Sequence, residues 1–492
     1  MFRQPASPTD KTAQRLIICT VSFASLLGAL DMSIVNISLP AIIKDWNIPV
    51  GLGSLVIISY LLTLTCLILV MGKFADRWGF RKILLTGFFI FGAGSALCGI
   101  APDIWFLIGS RVVQATGAAM ISAVGPAIIT RYLPPSVRGR SLGYLIAFSA
   151  LGFALGPGLG GFISGYFHWR WIFYLNLPVV LGAILLGYMV IPEEGTPTSR
   201  TRFDLAGSAL FCTFVAGILA AFSLYQVPGT PDSVLILLFA AGALAGILFV
   251  ARERKSNDPL IDTALIQNTY FNRGVASCFI VTLLFSGVTF LLPLYLTGSR
   301  HFDQFTAGMI MTIPALISML AAPVSGSLAD RYGSPIVSAA AIGMSAIGFV
   351  VFSTFNPSTA VLVIVAGMII TRVSTAAFFG PNGRLIMGHC PAGAVGDGSG
   401  VMMTVRHAGL VVGIALFQSI FAIRMYMEGI PRDGTPLVPR LTPALSVLGY
   451  QAVFLTAFCL CLVTIVIILF TREAPEPEPV PENVLPELTE VF

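Results

Sequence analysis

Fourteen apolar runs, each about as long as a bilayer-spanning helix, take up most of this 492-residue chain and are joined by short connections. The first lies near residues 16–41 and the last near 447–470. About 20 apolar residues cross a hydrocarbon core of about 30 Å as a helix. No water is available there to satisfy backbone amides, so each run must close its own hydrogen bonds as a helix. The charge content agrees, since only 10% of residues are charged, against about 25% in soluble domains. A chain so poor in charge cannot cover a surface facing water. The expected fold class is an all-α integral membrane protein with 14 transmembrane helices.

An even number of spans puts both termini on one side of the membrane. Sorting the 28 Lys and Arg by span leaves 19 on the side of the N-terminus, 6 on the other and 3 inside spans. That asymmetry places both termini in the cytoplasm. The net charge of +5 is therefore a topology signal, and no clustered basic face suggests a nucleic-acid partner. The eight cysteines fall almost entirely within apolar runs, with neither metal-ligand spacing nor a disulfide framework, and read as small packing residues. Residues 1–15 form a polar cytoplasmic lead-in, and the run behind them is too long for the apolar core of a signal peptide. Residues 472–492 alternate Pro and Glu and read as a disordered acidic tail whose role is solvation.

An internal repeat organises the rest. Gly72-Lys73-Phe74-Ala75-Asp76-Arg77-Trp78-Gly79 returns 254 residues later as Gly326-Ser327-Leu328-Ala329-Asp330-Arg331-Tyr332-Gly333. Both copies sit in the short loop after a span on the cytoplasmic side, so the repeat is parallel. Parallel repeats form two bundles about an axis along the membrane normal, with the site between them at the midplane. Eight spans separate the copies where two six-helix halves would give six, so two helices are inserted between the halves. The expected division is a bundle at 16–191, a linker with two helices at 192–262, and a second bundle at 263–471.

Five motifs carry a resemblance. They are Leu30-Asp31-x-Ser33-Ile34-Val35-Asn36-x-x-Leu39-Pro40, the loop Gly72-x-x-x-Asp76-Arg77-x-Gly79-x-Arg81-Lys82, and Arg111-x-x-Gln114-x-x-Gly117. The others are Gly152-x-x-x-Gly156-Pro157-x-x-Gly160-Gly161 and Trp169-Arg170-Trp171-Ile172-Phe173-x-x-Asn176-x-Pro178. With them the chain resembles the major facilitator superfamily, and within it the 14-helix drug:proton antiporter branch. Two departures stand out: Ala115 replaces a usual Gly, and Ser334-Pro335 replaces the basic pair after the second loop copy. The second departure makes the two gates unequal.

The resemblance implies alternating access driven by a proton gradient, with a small-molecule substrate and no cofactor or metal. It also implies a lipid-embedded monomer in a bacterial inner or plasma membrane. In that reading Asp31 carries the proton and Arg111 partners it, while Gly72, Asp76, Arg77, Gly79, Arg81, Asp330 and Arg331 form the cytoplasmic latch. Asp76 can face Arg138 and Arg140 there, with Asp330 as its weaker counterpart. Gly152, Gly156 and Gly160 share one face of a helix, either for close packing alone or as a hinge and seal between the bundles, with Gly161 beside them. Pro157 removes one hydrogen bond and permits bending.

Charges buried in a bilayer are costly and point to function. Of 23 acidic residues only Asp31 falls within a span. Helical rise puts it about 22 Å from the cytoplasmic face, and Arg111 descends to a similar depth from the other side. The two can pair, as a static bond or as a proton site in which a proton replaces the arginine. Arg372, in a segment resembling that around Arg111, would meet its symmetry-related acid near Phe285, where none exists. Arg372 and Arg406 then either bind backbone and polar side chains or face the cavity and favour neutral or anionic amphipaths over dications. Asn36, Gln114 and His407 are further cavity candidates.

The chain lacks G-x-S-x-G, H-E-x-x-H and Walker-type motifs, which argues against an enzyme. No connection is long enough for a domain that would dock a periplasmic adaptor. The expected function is proton-coupled export of lipophilic or amphipathic molecules such as drugs. The alternatives are a dedicated exporter of one metabolite (an aromatic acid, siderophore or lipid) and a non-transporting membrane sensor.

Overall fold

The computed structural model describes residues 11–193, 204–225, 227, 229–253, 265, 267–390, 395–429 and 443–473, without the side chains of 76, 135, 136, 205, 395–397, 443 and 444. Among these residues there are fourteen helices long and apolar enough to cross a membrane, and no strand. They are α1 (Lys11–Trp46), α2 (Val50–Ala75), α3 (Phe80–Gly99), α4 (Ile104–Tyr132), α5 (Val137–Tyr166), α6 (Trp171–Val190) and α7 (Ala206–Leu224). The rest are α8 (Asp232–Glu253), α9 (Thr269–Ser299), α10 (Gln304–Tyr332), α11 (Ser334–Ser353), α12 (Val361–Gly388), α13 (Gly398–Met427) and α14 (Leu445–Leu469). The first helix starts at Lys11, so part of the expected lead-in extends the span as helix.

Packing follows the repeat. Helix α1 lies against α4, α5 and α6, and α4 also packs on α2 and α3; α9 lies against α12, α13 and α14, and α11 packs on α12 and α14. The two sets meet along two seams, α5 with α10 and α2 with α13. Helices α7 and α8 pair with each other, and α7 touches both α2 and α13, straddling the second seam. Cys66 of α2 and Cys212 of α7 face each other there, each thiol donating to the other's carbonyl oxygen.

Small residues set how closely these helices approach. A Cβ added at Gly152 would lie 2.5 Å from the Leu26 carbonyl oxygen, at Gly156 2.4 Å from Ser33 Cβ, and at Gly160 2.4 Å from an Ile37 side-chain carbon. The whole glycine stripe of α5 thus packs on α1, inside its own half. The seam uses the adjoining register instead: a Cβ at Gly161 would meet the Gln304 carbonyl at 2.5 Å, and one at Gly308 the Pro157 carbonyl at 2.4 Å. The contact of α5 with α10 therefore runs through Pro157, Gly158 and Gly161 rather than through the stripe.

The two repeated motifs, expected as loops, continue the helices as far as Trp78 and Tyr332, so that each turn is made only at the closing glycine, for a conformational reason. Gly79 and Gly333 both take φ near +90° (94° and 86°), a region that side chains other than glycine rarely enter. Gly72 and Gly326 stand in open space, with nothing near an added Cβ.

A cavity of ≈ 1420 Å³ opens at the end of the molecule opposite the repeated loops, between α1, α2 and α5 on one side and α9, α10 and α13 on the other. Residues of the α7–α8 connection, Tyr225, Val227, Gly229 and Thr230, line its flank. Near the loop end the α2–α13 seam is tight, since a Cβ at Gly400 would lie 2.8 Å from Leu69.

Candidate functional site

Asp31 lies midway along α1 with 0% of its surface exposed, and Arg111 of α4 reaches it with 1% exposed. Arg111 Nη1 donates to Asp31 Oδ2 at 2.7 Å and to Gln114 Oε1 at 2.6 Å. Gln114 Nε2 returns to Asp31 Oδ1 at 2.9 Å, and Asn176 Nδ2 donates to the same oxygen at 3.0 Å. Both amides also donate to Ser95 Oγ, at 2.8 and 3.3 Å. Arg111 Nε donates to the Val56 carbonyl at 3.2 Å, and its guanidinium stacks over Tyr60 at 4.1 Å. Helices α1, α2, α3, α4 and α6 each contribute.

Local sequence explains how each group arrives. Arg111 and Gln114 are three apart on α4 and therefore share a face. Asp103 caps α4 by accepting from the backbone of Trp105 and Phe106, which fixes where the helix enters and so the depth of Arg111. Asn176 stands next to a short break in α6 at Leu175, two residues before Pro178. Ser33 Oγ donates to the Phe153 carbonyl on α5, holding the adjoining turn of α1.

This arrangement has a definite chemical capacity. An ion pair taken out of water is tolerable only when its remaining hydrogen-bonding positions are filled, and here Arg111, Gln114 and Asn176 all donate to the carboxylate. A proton arriving at Asp31 would substitute for the Arg111 contact while Gln114 and Asn176 keep the carboxyl oriented.

The depth count on α1 and α4 agrees with Asp31 meeting Arg111, and Gln114 joins them. Sequence reading missed Asn176, Ser95 and Tyr60 as partners. Asn176 carried a signal, being an amide within an otherwise apolar span; Ser95 and Tyr60 are ordinary in such helices and carried none.

The second half is built differently. Arg372 Nη2 donates to Thr289 Oγ1 at 3.0 Å, and its guanidinium lies 4.6 Å over the Phe285 ring. The ring thus occupies the place where symmetry would put an acid. Arg406 stacks over Phe379 at 4.3 Å. His407 Nδ1 is bonded to the Met403 carbonyl at 2.8 Å, which ties one ring nitrogen to its own helix. Asn36 lines a small chamber between the halves together with Arg111 and Arg372.

At the loop end, Arg384 Nη1 pairs with Asp330 Oδ1 at 2.5 Å. Glu473 accepts from Ser334 Oγ at 3.0 Å and Ser334 N at 3.3 Å, and lies 3.8 Å from Arg384 Nε. The first acid of the tail is therefore docked at the end of the second repeat, where the sequence had suggested solvation alone; residues 474–492 lie outside the described residues. Arg81 donates to the Tyr188 carbonyl at 2.8 Å and lies 3.6 Å from Glu193. Arg138 and Arg140, the cations expected opposite Asp76, are engaged by the Leu133 carbonyl and the Tyr144 hydroxyl. The Asp76 side chain lies outside the described residues. Arg77 is exposed, and Arg331 stacks over Tyr332 at 5.2 Å.

Two sets of membrane-spanning helices meeting around a large cavity, with an ion pair buried beside their interface, are the architecture of a membrane transporter. The chain belongs to the Major Facilitator Superfamily, whose family model matches residues 21–414. It is 30% identical over 410 residues to the riboflavin transporter RibZ of Clostridioides difficile, covering 83% of this chain and 87% of that one. It is also 30% identical over 415 residues to the multidrug resistance protein Stp of Mycobacterium tuberculosis, covering 83% and 76%. Among solved structures, the human organic anion transporter TETRAN matches with TM-score 0.62 at 15% identity, over 92% of this chain and 99% of that one. A bacterial homologue of the human lysosomal transporter Spinster, captured facing inward, matches with TM-score 0.61 at 14% identity, over 95% and 100%. Those two likenesses show the shared fold. The protein is thus a multi-pass membrane transporter for small molecules.

Proposed function

We propose that this transporter is a proton-coupled exporter of lipophilic or amphipathic molecules that exchanges proton for substrate by alternating access in a bacterial cytoplasmic membrane. The observation that carries this reading is the Asp31–Arg111 pair: an acid 0% exposed in mid-span, held by Arg111, Gln114 and Asn176. Asp31 takes a proton when the site faces outward and releases it to the cytoplasm, with Arg111 filling the vacated contact. Residues 16–191 and 263–471 act as the two rocking bundles, with 192–262 as the insert and both termini cytoplasmic.

At the loop end, Gly79 and Gly333 set the tight turns, and Arg81, Asp330 and Arg331 belong to the latch together with Gly72, Asp76 and Arg77. The pair Asp330–Arg384 is its arm in the second half. Pro157 and Gly161 of α5 form the seal against α10, while Gly152, Gly156 and Gly160 bind α5 to α1. A multidrug resistance relative covering most of the chain supports a broad substrate range. The riboflavin transporter relative favours a second reading, a dedicated exporter of one aromatic metabolite.

The test is substrate-dependent proton flux in vesicles containing the purified protein. Asp31→Asn keeps the size and much of the hydrogen bonding but cannot change charge, and it should abolish that flux. Coupling that survives the substitution removes Asp31 from the proton path.

A further inference from the structure

Beyond the floor of the large cavity lies a small chamber of ≈ 30 Å³ between the halves. The chamber adjoins the cavity along three walls. Asn36 precedes Pro40 by a turn on α1, Thr289 adjoins Phe290 on α9, and Ile414 precedes Gln418 by a turn on α13; the first of each pair lines the chamber and the second the cavity. Phe153 and Phe285 face each other across the chamber edge to face, with centroids 6.3 Å apart.

The polar groups of this chamber are under-used. Tyr60 is 1% exposed, yet its hydroxyl has no hydrogen-bond partner among the described residues, and neither has Asn36 Oδ1. Arg372 spends one donor on Thr289, and among the described residues no carboxylate lies within ion-pair distance of it. Asp31 cannot serve it, because that carboxylate is engaged by Arg111, Gln114 and Asn176 within its own half. Arg111 also borders the chamber, but its charge is offset by Asp31. The walls therefore carry one uncompensated positive charge, an unused hydroxyl and two aromatic faces. In a low-dielectric site such unpaired groups strongly favour a ligand that completes them.

We infer that this chamber is the head-group subsite of the transported molecule and that it selects aromatic amphipaths with an anionic head over lipophilic cations. The inference rests on the transport reading above. Arg372 binds the anion, Tyr60 donates to it, Phe153 and Phe285 flank the first ring, and the apolar body lies in the large cavity. At its present volume the chamber holds one or two waters, so the head enters as the halves part.

The probe set is naphthalenesulfonate, naphthalenesulfonamide and trimethylnaphthylammonium, which share a ring and differ in head charge. Their binding to the purified full-length protein is measured by calorimetry without a proton gradient, so a failure of proton coupling at Asp31 does not touch the result. The wild type should prefer the sulfonate, then the sulfonamide, then the ammonium. Arg372→Gln should weaken the sulfonate about tenfold and leave the ammonium unchanged or tighter, while Arg372→Lys retains most of the preference. Tyr60→Phe removes only an unpartnered hydroxyl and keeps the fold; it should weaken the sulfonate about threefold without moving the ammonium. Equal binding of sulfonate and ammonium by the wild type overturns the inference. So does a sulfonate-to-ammonium ratio that is the same in wild type, Arg372→Gln and Tyr60→Phe.

Discussion

Arg111 and Arg372 stand at related places in two repeated halves, and the halves neutralise them by different means. In the first, a carboxylate, the Gln114 amide oxygen, a backbone carbonyl and the Tyr60 ring enclose the guanidinium. In the second, a single hydroxyl and an aromatic face do so. A guanidinium tolerates both because it can bond in its plane and stack on its face. On the reading proposed above, the difference divides the labour: the first half would hold the group that takes up a proton, and the second would leave a fixed positive charge for a ligand. The loops repeat the pattern of one plan with two fillings. Arg81 of the first copy reaches Glu193 beyond α6, whereas Ser334 of the second donates to Glu473 beyond α14.

The comparison breaks hardest at Asp31. Asp31→Ala strands a buried guanidinium and should cost about 3–5 kcal/mol, read as a lowered thermal midpoint of the detergent-solubilised protein. A midpoint close to wild type would mean that Tyr60 and the Val56 carbonyl suffice for Arg111, as Phe285 and Thr289 do for Arg372.

Phe285→Glu sharpens it from the other side by giving Arg372 the acid that symmetry would supply. Naphthalenesulfonate binding should then fall about tenfold while the ammonium probe gains. Unchanged sulfonate binding would show that the charge of Arg372 is not what the chamber offers.

The smallest effect is expected from a pair outside the bilayer core. Arg252 grips Asp204 through two bonds of 2.8 Å, and this contact, helped by the Gly207 amide, holds the Asp204 carboxyl below the usual range. A depressed pKa in the folded state stabilises the fold above the ordinary carboxylate pKa, and that contribution fades as pH falls through the lower folded value. Melting between about pH 5 and pH 2 should therefore show a slight acid-side loss in the wild type. Asp204→Asn removes it without affecting probe binding. A loss as large as that of Asp31→Ala would erase the contrast between exposed and buried pairs.

The helix count, the parallel repeat and the inserted pair were legible in sequence because the bilayer imposes a length on every span and the loop motif repeats in register. Asp31 and Arg111 were legible because a charge in such a span is conspicuous and helical rise gives its depth. Asn176 was half visible, while Ser95 and Tyr60 were not, since serine and tyrosine sit in membrane helices for many reasons. The glycines of α5 were visible as a stripe, but their facing helix was not: four-residue spacing defines a face without naming the neighbour. Glu473 resembled every other acid of the tail until Ser334 and Arg384 were placed beside it.

Sequence alone therefore determined what is set by length and depth: fourteen spans, two parallel halves and one acid deep enough to meet an arginine. Tertiary structure decided which groups share a space. It put α1 rather than α10 on the glycine stripe, docked Glu473 at the end of the second repeat, and set a phenyl ring beneath Arg372. Those choices depend on how helices rotate and tilt against one another, which periodicity leaves free and close packing fixes.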